Sequence, residues 1–88
     1  MWESYKKGFK AYLQLEKSLS DNSVEAYLRD VEKFTEFLQS QDNLLTPGQV
    51  QLKDLQQFLR FITELGMTAT SQARIISGLR GFYKFCLL

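Results

Sequence analysis

The sequence predicts an all-α fold, a compact bundle of four main helices, and three observations carry that prediction. Apolar residues recur at helical spacing along nearly the whole chain, and no segment alternates at the period of a strand. Short polar clusters, the single proline and Gly66 interrupt this pattern where helices have to turn. A length of 88 residues, 44% of them hydrophobic and 14% aromatic, suits one small ordered domain with an aromatic-rich core.

The first helix is predicted from about Trp2 to Lys17, with Tyr5, Phe9, Tyr12 and Leu13 on one stripe and Leu15 at its edge. Ser18, Ser20, Asp21, Asn22 and Ser23 then form a cluster suited to turns and caps. In the second helix Asn22 is placed as the cap, with Glu25 reaching back in a capping box; Asp21 and Glu25 also suit the positive helix end. Val24, Tyr27, Leu28, Val31, Phe34 and Leu38 mark its buried stripe, which Phe37 widens, and it stops near Gln39 to Gln41. Thr46 followed by Pro47 predicts a short helical turn in the connector. The third helix begins at about Leu52, turns Leu55, Phe58, Leu59 and Ile62 inward, and ends near Leu65 with Gly66 as a left-handed cap. The fourth starts within residues 68–71 and runs to the end, with Ala73, Ile76, Leu79, Phe82 or Tyr83, and Phe85 reaching the core. Its last residues are apolar and lack a helix-ending signal, as in a chain cut from a longer one.

Composition argues against catalysis by this chain. There is no histidine, so the usual serine and cysteine triads have no general base, and no metal site or cofactor is expected. Cys86 is the only cysteine, which excludes an internal disulfide and suits a reducing cytoplasm. Set between Phe85 and Leu87, it reads as a small buried apolar residue rather than a nucleophile. Glu32 and Glu36 stand at ordinary surface spacing, and Gly78 and Gly81 lack the pattern of a phosphate loop. Residues 1–7 do not form a secretory signal, and no apolar run is long enough to span a membrane.

The net charge is only +1, but it is unevenly distributed. Asp21, Glu25, Asp30, Glu32, Glu36 and Asp42 crowd the second segment, whereas residues 67–88 carry Arg74, Arg80 and Lys84 and no acid. A polarised chain of this kind can present a positive face while staying nearly neutral overall. The fourth helix lists Ser71, Gln72, Arg74, Ser77, Gly78, Arg80, Gly81 and Lys84 on its exposed side. Two readings fit its glycines: small residues beside a guanidinium for close approach of another surface, or packing against a helix of the bundle. The opening of the second helix likewise reads either as an anion site or as simple capping.

Residues 19–31, from Leu19-Ser20-Asp21-Asn22-Ser23 through Tyr27 to Asp30-Val31, resemble the L-S-x-N-T-x-x-x-Y-x-x-D-L opening of the second helix in Xer-like tyrosine recombinases and phage integrases. Residues 68–85 resemble the same family's S-x-x-T-x-x-R-x-L-S-A-L-R-x-F-Y-x-F, and residues 9–17 and Leu45-Thr46-Pro47 also fit. The resemblance spans nearly the whole chain in order and spacing. It implies a SAM-like core-binding domain over residues 1–88, with the catalytic domain absent. In the family this domain closes with a separate catalytic domain as a C-shaped clamp on duplex DNA, through its second and fourth helices. It further implies a bacterial cytoplasmic role in DNA recombination, integration or chromosome partition, with double-stranded DNA and other recombinase protomers as partners and no membrane or small-molecule substrate.

Residue by residue, Ser20, Asn22, Ser23 and Tyr27 match the first motif, and Ser71, Arg74, Ser77 and Arg80 match the second. Thr70, Gln72 and Lys84 are added as DNA-binding residues from helical geometry and chemistry alone. Ser23 and Ser71 stand where threonine is common, and Gly78 replaces the usual alanine. No tyrosine here corresponds to the family's nucleophile, so Tyr5, Tyr12, Tyr27 and Tyr83 read as packing aromatics. The alternative function is a helical protein–protein adaptor whose Gly78 and Gly81 face docks a partner helix. Trp2, Leu87 and Leu88 are the expected apolar residues for contact with other protomers or a missing domain.

Overall fold

Short polar side chains and left-handed residues set the helix boundaries. The computed structural model describes residues 2–87. It contains α1 (Trp2–Leu15), α2 (Asp21–Ser40), a single 3-10 turn (Pro47–Gln49), α3 (Leu52–Glu64) and α4 (Ala69–Cys86), with no strand among the described residues. All four helices stand where the periodicity put them, as does the turn at Pro47.

The cap of α2 is Ser20 rather than Asn22. The helix begins at Asp21, so the Ser20 hydroxyl accepts from the Ser23 amide at 3.3 Å, and Asn22 lies inside the first turn. α4 opens the same way: Thr68 Oγ1 accepts from the Ser71 amide at 3.2 Å. Gly66 has φ 85°, the left-handed cap that closes α3, and Met67 N–H donates to the Ile62 carbonyl at 3.2 Å.

The core is built from facing aromatic rings. Phe9, Phe34, Phe58 and Phe82 are almost fully buried. Phe82 meets Phe9 edge-on at 5.4 Å, and Phe34 meets Phe58 at 5.2 Å, so rings from all four helices interlock. Truncating one of these rings to alanine costs about 3–5 kcal/mol. The expected stripe of α1 narrows to Phe9 and Leu13, with Tyr12 at its margin and Leu15 79% exposed. In α4 the inward residues are Ile75, Gly78, Leu79 and Phe82; Ala73 is exposed, contrary to expectation.

Trp2 is partly buried and packs against the core. Its indole stacks on Phe82 at 5.8 Å and its Nε1–H donates to the Leu45 carbonyl at 2.7 Å, tying the first turn of α1 to the connector after α2. It is therefore not an exposed apolar anchor. Leu87 is 87% exposed, and Leu88 lies outside the described residues.

α2 and α4 are the most extensively packed pair. Tyr27 lies against Gly81, while Asp30, one turn later in α2, lies against Gly78, one turn earlier in α4. The two helices therefore run antiparallel, and the opening of α2 lies beside the last turns of α4. Lys6 bonds Glu32 and Thr35 while Phe9 meets Tyr27, so α1 is also antiparallel to α2.

Candidate nucleic-acid interface

Helical spacing and burial together define one stripe on α4. Thr70, Ala73, Ser77, Arg80 and Lys84 follow one another at three- and four-residue steps, and all are exposed. Neither Arg80 nor Lys84 forms an ion pair among the described residues, so both cations are available.

Two of the acids of α2, Glu32 and Asp30, are engaged in ion pairs. Glu32 pairs with Lys6 of α1. Asp21 and Glu25 line a shallow groove with Lys10 and Gln14 of α1. Asp30, one of the acids that crowd the second segment, is 1% exposed and is held by Arg74, whose Nη2 donates to Oδ1 at 2.8 Å. Burial raises the carboxyl of Asp30 above its ordinary range, and the Arg74, Lys33 and Arg29 cations pull it back down. Arg29 and Lys33 of α2 therefore add positive charge around the junction with α4. Sequence reasoning did not include them in the site; the signal available was their position flanking the aspartate of the first motif.

The glycines belong to this junction. A Cβ on Gly78 would overlap the Asp30 side chain, standing 2.9 Å from its Cβ and Cγ. One on Gly81 would sit 3.5 Å from the Tyr27 ring. Gly78 is buried and Gly81 half-buried, so of the two readings the packing one describes them. They are not part of an exposed face.

The other expected site residues fall into four groups. Ser20 and Ser23 form the α2 cap, where the Ser20 hydroxyl donates to Ser23 Oγ at 3.1 Å; Thr68 donates to Ser71 Oγ at 3.0 Å in the same arrangement. Because α2 and α4 are antiparallel, these two helix openings lie toward opposite ends of the shared face. Asn22 is exposed without a capping role. Tyr27 is half-buried, edge-on to Phe9 at 6.1 Å. With Leu19 and Gly81 it lines a depression of about 410 Å³ flanked by Lys17 and Lys84.

Gln72 stands apart from the stripe. Its amide accepts from Thr63 Oγ1 at 3.2 Å and donates to the Met67 carbonyl at 3.0 Å, clasping the α3–α4 connection. Its polar atoms are engaged inside the fold, on the side of α4 that faces α3.

No cluster of three or more metal-ligating side chains exists among the described residues, and no helix among them is long and apolar enough to cross a membrane. Burial raises the pKa of the Cys86 thiol, and that of the Tyr83 hydroxyl, which donates to the Pro47 carbonyl at 3.1 Å. Neither group is activated as a nucleophile.

The fold is a four-helix domain whose α4 carries Arg74, Arg80 and Lys84 and no acid, and comparison with known proteins specifies its family. Residues 7–88 match the family described as phage integrase, N-terminal SAM-like domain, and the chain belongs to it. The chain is 38% identical over 76 residues to the tyrosine recombinase XerD of Staphylococcus saprophyticus, covering 86% of this chain and 25% of that protein. It is 42% identical over 76 residues to XerD of Pseudomonas aeruginosa, covering 85% and 24%. With the tyrosine recombinase XerC of Oceanobacillus iheyensis it shares 40% over 83 residues, covering 94% and 27%. The chain thus spans about a quarter of the length of these relatives. No solved structure matches it.

Proposed function

We propose that this chain is the DNA-clamping domain of a site-specific tyrosine recombinase, acting in the bacterial cytoplasm during DNA recombination, integration or chromosome partition. Duplex DNA lies across the shared face of α2 and α4, contacted by Ser20, Asn22, Ser23 and Tyr27 from one helix and by Thr70, Ser71, Arg74, Ser77, Arg80 and Lys84 from the other. The observation that carries this reading is the exposed α4 stripe ending in Arg80 and Lys84, free of acids and beside the opening of α2. Phosphates take the cations and the serine hydroxyls, which orients the duplex without reading its sequence. Cleavage belongs to the catalytic domain of such recombinases, and other protomers on the same DNA are the protein partners.

The adaptor reading loses its anchor, because Asp30 and Tyr27 occupy the glycine face where a partner helix would dock. An NMR titration of the labelled chain with a short DNA duplex at low salt, repeated at higher salt, tests the proposal. Salt-sensitive shifts at residues 20–29 and 68–84 are expected. Shifts confined to α3, or none at all, would overturn it.

A further inference from the structure

Asp30 and Arg74 form an unequal pair. The carboxylate is 1% exposed and cannot itself reach a ligand, while the Arg74 side chain retains 52% exposure. One guanidinium nitrogen, Nη2, is bound to Oδ1. A guanidinium carries five N–H donors in a rigid fork, so its remaining donors stay free. The fold makes room for this arrangement at Gly78, where any Cβ would collide with the carboxylate. A helix-interior glycine disfavours the helix relative to alanine, and a buried ion pair contributes little net stability relative to apolar residues of the same size. What the pair supplies is a fixed direction for an otherwise flexible side chain. The charged groups around Asp30 are Arg74 from α4 and Lys33 and Arg29 from its own helix.

We infer that Asp30 is a positioning residue for DNA contact: it clamps one edge of the Arg74 guanidinium and presents the free edge on the α2/α4 face to a phosphate or a guanine edge. This rests on the DNA-binding reading and adds a residue that never touches the nucleic acid. It also assigns Gly78 a part, as the position that admits the carboxylate.

A double-mutant cycle on the chain with a short mixed-sequence duplex at low salt tests it. Asp30→Asn is expected to weaken binding about fivefold to tenfold, the effect of a charge-assisted hydrogen bond. In an Arg74→Gln background the same change is expected to have no further effect. The Arg74 Nε–H signal is expected to be sharp in the parent chain and broadened in Asp30→Asn. Unchanged or tighter binding by Asp30→Asn, or an equal loss in both backgrounds, would overturn the inference. Should Asp30→Asn fail to fold, Arg74→Lys keeps the charge without the fork. It is expected to lose a similar factor, and full affinity in that variant would overturn the inference equally. Failure of the parent chain to bind the duplex would instead remove the DNA-binding reading itself, before any variant is compared.

Discussion

Arg74 of α4 and Asp30 of α2 are joined at 2.8 Å across the junction of two antiparallel helices, one partner half in solvent and the other sealed beneath it. Removing the arginine strands a buried carboxylate. Arg74→Ala is therefore a stability variant as well as a binding variant. It should lower unfolding free energy by about 1–3 kcal/mol, below the full cost of a wholly buried pair because Arg74 is partly solvated. Chemical denaturation of the two proteins measures this directly.

The same pair gives a pH dependence of definite sign. Because burial raises the Asp30 carboxyl, the folded chain binds that proton more tightly than the unfolded chain does. The contribution of Asp30 to stability therefore falls as pH rises from the ordinary aspartate range through its raised value. Arg74 is the chief influence pulling that value down, so the deficit of Arg74→Ala should shrink as pH falls from the still higher Asp30 value of the variant toward the raised value of the parent, a window above the ordinary carboxylate range. A deficit that stays constant across that window would show that the carboxylate is not its source.

Gly78 and Gly81 should respond oppositely to alanine. Gly78→Ala forces a Cβ into Asp30 and should destabilise by about 1–3 kcal/mol. Gly81→Ala meets Tyr27 at an ordinary contact distance and should be neutral or stabilise by up to about 1 kcal/mol through helix propensity. Thermal unfolding of the two single variants decides the matter.

Arg80→Ala and Lys84→Ala separate binding from folding. Both side chains are exposed and outside any ion pair among the described residues, so stability should change by less than about 0.5 kcal/mol. Each should weaken DNA binding and reduce the slope of log affinity against log salt by about 1, as expected for a phosphate contact. Affinity measured over a salt series is the check.

The helices were legible in the sequence because each carries a stripe of large apolar residues bounded by residues that cap or turn. The phase of α4 was not. Ile75, Ile76, Leu79, Phe82, Tyr83 and Phe85 are spread around much of its circumference, so Ala73 proves exposed and Ile75, not named among the inward residues, proves buried. The α2 cap was misplaced by two residues because Ser20, Asn22 and Ser23 all carry suitable side chains, and only the backbone decides among them. The stripe through Ser77, Arg80 and Lys84 was readable from spacing. The burial of Asp30 was hidden because its partner lies 44 residues away. For the same reason Gln72 looked like surface: its acceptor and donor partners are set by how α3 turns into α4.

Trp2 is the only tryptophan in the chain, held between Phe34 and Phe82. None of its aromatic or hydrogen-bond partners is a proposed DNA contact. The protein therefore carries its own optical reporter of folding: intrinsic fluorescence excited at the indole should change sharply when the bundle melts and stay nearly silent when a duplex docks. One sample can then be followed through both events, with emission counting folded molecules while anisotropy of a labelled duplex counts bound ones.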